Sequence, residues 1–176
     1  RVNAGIILAS SQLADEGARN IAGGRYLVKP GAYRIGGLNL EGFGSPHDRM
    51  GGRRFGNATI WRWSQGGLNF AHLGATAGPI SGADQVLLGR PDVLILGVGG
   101  GSKIFDGDEA AALVNELNPK RVIPVQYVIG DPPEGCDQGG VQPFLDAMAG
   151  TTVRKVGRSI SLPGQLDDST VVTVME

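Results

Sequence analysis

The stretch that most constrains this chain is Val93-Leu94-Ile95-Leu96, together with the loop and helix directly after it. A continuous apolar run, as opposed to an alternating one, reads as a strand buried on both faces. Gly97 to Gly101 then forms a glycine loop. Asp106 is a good N-cap, and Glu109 three residues later completes a capping-box pattern. Ala110, Leu113, Val114 and Leu117 fall on one helical stripe, and Asn118-Pro119 ends it. Val122-Ile123-Pro124-Val125 is the next strand. A polar loop over 127–138, a helix over 141–148 and short strands over 153–156, 159–162 and 171–174 complete the second half.

The first half has a different rhythm. Ile6-Ile7-Leu8-Ala9 reads as a buried strand, with Ser10 and Ser11 as caps for a short helix over 15–22. Gly23-Gly24 stops that helix, and Arg25-Tyr26-Leu27-Val28 is a strand. Tyr33-Arg34-Ile35 and Leu38-Asn39-Leu40 form a hairpin around Gly36-Gly37. A long loop over 42–56 carries His47 and Asp48. In the strand over 58–63, Trp61 and Trp63 share a face with Thr59, opposite Ile60. That face is read as core or interface packing. Gln65-Gly66-Gly67 turns the chain into Leu68-Asn69-Phe70-Ala71-His72, and Ser81 caps a helix reaching Leu88. Short antiparallel strands followed by alternating strand and helix predict a layered α/β protein with helices outside stacked sheets.

Composition narrows the function classes. The 176 residues make one domain, 1–176, large enough for a sizeable core. Sixteen Lys and Arg against 17 Asp and Glu leave a net charge of −1, so no strong field attracts nucleic acid. No apolar run approaches the ~20 residues that span a bilayer. A single cysteine, Cys136, makes no internal disulfide, and no cysteine-based zinc pattern exists. An intracellular location is therefore expected. The 30 glycines are scattered, which fits tight turns between short elements. Because Arg1 opens the chain almost directly in a strand, an N-terminal part is expected to be missing.

Four segments, in order, carry a resemblance: the strand and loop from Ile6 to Asp15; Gly44-Ser45-Pro46-His47-Asp48 with Gly51-Gly52-Arg53-Arg54; His72-Leu73-Gly74; and Arg90-Pro91-Asp92-Val93-Leu94-Ile95 through Gly99-Gly100. Pro119-Lys120-Arg121-Val122-Ile123-Pro124 comes next as a fifth. Together they resemble the metallo-β-lactamase superfamily, in its branch of ascorbate-phosphate lactonases and similar hydrolases. The resemblance implies an αββα four-layer sandwich, here lacking its N-terminal strands. It also implies a binuclear metal centre that generates a hydroxide nucleophile.

Matched to that family's ligands, the first motif, His-x-His-x-Asp-His, reads Ser11, Leu13, Asp15 and Glu16. His47 matches the next histidine, Ala75 stands where the bridging aspartate belongs, and Gln126 replaces the final histidine. Only Asp15 and His47 of these seven positions keep the family residue. No metal is therefore expected, and zinc or another divalent ion belongs only to an alternative hydrolase reading.

Asp15, His47 and Asp48 are the candidate catalytic residues, with Asp15 preferred as a loop hydrogen-bonder and His47 as a buried histidine where the metal once sat. His72, at a strand end, is read as structural. Arg49, Arg53 and Arg54 form a local basic cluster, and Arg53, Arg54, Gly99 and Gly100 are the anion candidates. Lys103 comes after Ser102, so the loop is not a phosphate-binding Walker motif. In the family such a loop borders the floor of the active site. The leading expectation is a non-catalytic structural, assembly or binding subunit with protein partners. The alternatives are a lactone- or phosphoester-cleaving hydrolase with a reduced metal site, and a binder of anions or phosphorylated small molecules. Arg53-Arg54-Phe55-Gly56 and Trp61-Arg62-Trp63 resemble cyanobacterial and plastid sequences, which implies cytoplasm or stroma.

Overall fold

The computed structural model of the chain describes residues 4–13, 16 and 23–175. Among them the strands are β1 (Ile6–Leu8), β2 (Arg25–Leu27), β3 (Gly31–Ile35), β4 (Leu38–Pro46), β5 (Asn57–Gln65), β6 (Leu68–His72), β7 (Val93–Gly97), β8 (Arg121–Val125), β9 (Thr152–Val156) and β10 (Val171–Met175). The helices are α1 (Gly82–Leu88), α2 (Gly107–Leu117) and α3 (Gln142–Ala147).

β1 and β2 pair in parallel as a small sheet, and the rest form an eight-stranded sheet in the order β3-β4-β5-β6-β7-β8-β10-β9. The chain's two rhythms become the two halves of that large sheet. β3 to β6 are antiparallel, joined by Gly36-Gly37 and Gly66-Gly67. Both glycines of each turn have positive φ, between +57° and +82°, as a two-residue turn matching strand twist requires. From β6 onward every pairing is parallel, because helices or long segments carry the chain back between strands.

Alternation along the strands builds two cores. Ile60, Ala71, Leu94, Leu96, Val122 and Val172 face one side, where α2 and α3 cover them. α2 begins with the predicted capping box: Asp106 accepts from the Glu109 N–H, and Glu109 accepts from the Asp106 N–H. Its stripe of Ala110, Leu113, Val114 and Leu117 is buried, each larger side chain contributing about 1.5–3 kcal/mol. On the other side of the large sheet, Trp61 and Trp63 pack with Leu27, Ile6 and Leu8 from the small sheet. Val93, Ile95 and Ile123 face that side too, beneath Leu162 and Leu166. The tryptophan face is thus core packing, and Trp61 Nε1–H ties the two sheets by donating to Ala9 O at 2.8 Å.

The expected layered α/β architecture is present, with three local differences. The long loop over 42–56 begins only after Pro46, because β4 continues alongside β5 as far as the Pro46–Asn57 pair. The segment Ser159-Ile160-Ser161-Leu162 is not a strand; Leu162 instead lays its side chain over the sheet. Ser10 and Ser11 accept hydrogen bonds from Ala75 N–H and Leu13 N–H. The helix expected over 15–22 lies outside the described residues apart from Glu16, which is not helical.

Candidate functional site

In parallel sheets, sites gather where the strands end at their carboxyl edges. Here β6, β7 and β8 end together at His72, Gly97 and Val125. A cavity of about 360 Å³ opens there, lined in part by Ser10, Ser11, Glu16, His72 and Gln126.

The turn after β6 is held by the protein itself. His72 Nδ1 accepts the Gly74 N–H at 2.9 Å, and Ser10 Oγ lies 3.3 Å from the Ala75 nitrogen as its acceptor. Thr76 Oγ1 donates to Leu73 O at 2.8 Å. Gly74 has φ +60°, and a Cβ there would lie 2.1 Å from Ser10 Cβ, so only glycine fits. Burial lowers the His72 pKa, and an accepting Nδ1 puts the proton of the neutral ring on Nε2. Ala75 is fully buried and brings no donor atom to the cavity.

Glu16, His47 and Lys103 form a cluster beside this turn. Glu16 Oε2 lies 3.1 Å from His47 Nε2, and Glu16 Oε1 lies 3.1 Å from Lys103 Nζ. Neither contact is aligned as a hydrogen bond, and the attraction between Glu16 and Lys103 is Coulombic. The side chains of His47, Glu16 and Lys103 are 0%, 9% and 16% exposed. Burial pushes the Glu16 carboxyl up, but contacts with His47, Lys103 and Ser11 outweigh it and hold the group below its ordinary range. Phe55 packs near both: its ring centroid is 6.1 Å from that of His47 and 5.3 Å from Lys103 Nζ.

The loop after β4 delivers His47 to this cluster. Asp48 does not orient the histidine. Its buried carboxylate accepts four backbone N–H groups, from Met50, Gly52, Arg54 and Phe55, at 2.8–3.1 Å. Burial raises the Asp48 pKa, and these four donors more than reverse the effect. The carboxylate therefore acts as the hub of the loop that carries Phe55. Arg49 leaves the expected basic cluster: it pairs with Glu109 and donates to the carbonyls of Gly101 and Ile104. Arg53 and Arg54 are exposed, with Arg54 lying over Phe55 at 4.8 Å.

The glycine loop after β7 is built for close approach. The Gly100 N–H donates to Phe105 O, so that amide is not open to an anion. A Cβ at Gly99 would sit 2.3 Å from Gln126 O. Gln126 itself has φ +53°, rare for a side-chain-bearing residue. Its Oε1 is buried without a hydrogen-bond partner among the described residues, and lies 2.8 Å from where a Gly97 Cβ would be.

These residues do not fit a binuclear metal centre. Leu13 and Ala75 offer no donor atom, Ser11 Oγ is engaged with the Leu13 N–H, and Glu16 and His47 face each other. Among the described residues no three His, Cys, Asp or Glu side chains converge as a metal site. Asp15 lies outside the described residues. Sequence reasoning assigned Lys103 no part in this site. Its signal was modest, a lysine between Ser102 of the glycine loop and the apolar Ile104.

Comparison with family models matches residues 1–126 to the Beta-lactamase superfamily domain. Among solved structures, the chain is similar to a Thermotoga maritima protein provisionally described as a Zn-dependent hydrolase of the metallo-β-lactamase superfamily. That pair has 23% identity and a TM-score of 0.77, covering 99% of this chain and 84% of that one. A provisionally described metal-dependent hydrolase from Parabacteroides distasonis ATCC 8503 has 16% identity and a TM-score of 0.60, covering 84% of this chain and 73% of that one. At these identities the likeness shows the fold alone. Comparison with curated proteins finds no match.

Proposed function

The chain belongs to the Beta-lactamase superfamily domain family, and from that premise we propose that it is a non-catalytic member, acting as a structural, assembly or binding subunit. The observation that carries this reading is the fate of the ligand positions. Two have apolar side chains, Leu13 and Ala75, and two others, Glu16 and His47, face each other across 3.1 Å. Hydrolysis in this superfamily needs cations held by several histidines and carboxylates at once, to activate water and polarise the scissile bond. Among the described residues no convergent donor set stands at the site to hold them.

The framework around those positions supports the same reading. The turn that once aimed a ligand is still tightly specified by Gly74, Ser10 and His72, so the scaffold is retained although its ligand is absent. A folded cleft without hydrolytic chemistry suits binding or assembly.

Metal analysis of the purified protein tests the proposal. The expected content is well under one zinc, iron or manganese ion per chain, with no hydrolysis of a lactone and phosphoester panel after metal addition. About two ions per chain would sink it. Sizing chromatography of the chain from its native source tests the subunit aspect, and elution as a clean monomer would count against it.

A further inference from the structure

We infer that the Lys103 ammonium is the internal cation of this centre, and that it compensates the Glu16 carboxylate at a position where the family carries a metal ligand. The inference deepens the non-catalytic reading and rests on it.

A carboxylate as enclosed as that of Glu16 needs a compensating charge, because removing it from water costs more than any single neutral contact returns. In a metal centre that charge comes from the ion. Here one oxygen of Glu16 faces Lys103 Nζ and the other faces His47 Nε2, each at 3.1 Å. A single carboxylate thus faces two nitrogen groups at once, one on each oxygen.

The lysine is aimed, not merely nearby. Its neighbour Ser102 donates its N–H to Asp137 at 2.8 Å, and Gly101 approaches that carboxylate so closely that a Cβ would lie 2.6 Å from it. These contacts fix the loop immediately before Lys103. The Phe55 ring presents its face to the ammonium, 5.3 Å from its centroid. Phe55 is held in turn because its N–H donates to Asp48, at 2.8 Å. Two loops distant in sequence therefore converge to seat one positive charge against Glu16.

The test is a double-mutant cycle on the full chain, read by thermal unfolding. Lys103→Met keeps the stem and removes the charge, and Glu16→Gln removes the carboxylate's charge. Lys103→Met is expected to lower Tm by about 5 °C or more, or to prevent folding, by leaving the carboxylate uncompensated. The Lys103→Met/Glu16→Gln double variant is expected to recover most of that loss. The proposal is overturned if Lys103→Met unfolds like the wild type. It is equally overturned if the loss persists unchanged, or folding still fails, in the double variant. Zinc uptake by the wild-type chain is scored separately: it bears on the non-catalytic reading, whereas the coupling between Lys103 and Glu16 bears on this one.

Discussion

Arg49 and Glu109 form an ion pair across 60 positions of sequence, and Glu109 is the residue that closes the capping box of α2. The same guanidinium donates to Gly101 O and Ile104 O. One side chain thus ties the loop after β4 to the glycine loop and to the start of α2. Both ends of the pair are 36% exposed, so solvent screens the charge, and the value of the contact lies in its geometry.

Arg49→Ala is expected to destabilise the fold by about 1–2 kcal/mol, since it removes several charge-assisted hydrogen bonds. Arg49→Lys should recover little of this, because an ammonium cannot reach a carboxylate and two carbonyls in one planar fork. Urea unfolding of the two variants checks the prediction, and full recovery by lysine would contradict it.

Gly74→Ala is expected to cost about 2–4 kcal/mol, through left-handed backbone strain together with overlap against Ser10. Gly36→Ala supplies the contrast. It has a similar φ of +57°, but an added Cβ meets nothing within 4 Å, so its loss should stay near 1 kcal/mol. Thermal unfolding of the pair separates strain from steric overlap.

Asp48→Asn is expected to loosen the loop that seats His47 and Phe55. An amide has one acceptor oxygen for four N–H donors and adds donors of its own. Limited trypsin digestion reads this directly, since Arg53 and Arg54 are exposed on that loop. Cleavage there should accelerate in the variant while the rest of the chain stays protected.

His72 predicts a pH dependence near neutrality. Burial lowers its folded pKa, so the unfolded chain binds the proton more readily. Stability is therefore fully present above the ordinary imidazole value of about 6.5 and is lost as pH falls from there towards the folded pKa. Carboxylates with lowered pKa, such as Asp92, act in a separate and more acidic window. His72→Gln should flatten the profile just below the ordinary imidazole value of about 6.5 without altering the acidic limb. Urea midpoints across that range check the sign.

Much of the fold was legible because its signals are local. The capping box at Asp106 and Glu109 lies within one turn of helix, and the apolar run at Val93 fills a strand buried on both faces. The glycine pairs at 36–37 and 66–67 announce hairpins whose backbone other residues resist. The misread segments were those where local signals mislead. Gly42 and Gly44 suggest a loop, yet they sit in β4, where Trp61 presses so close to Gly42 that a Cβ would lie 2.9 Å from its ring. The alternation at 159–162 suggests a strand, but Leu162 lies instead over the face carrying Val93 and Ile95.

For the site, the sequence by itself determined what was lacking. The side chains of Leu13 and Ala75 carry no donor atom for a metal in any fold, and that much depends only on their chemistry. Only the tertiary structure decided what stands there instead. Glu16, the loop carrying His47 and Phe55, and Lys103 come from three separate stretches of chain. The charge of a buried carboxylate selects its partners by distance in space, and no spacing along the sequence records that.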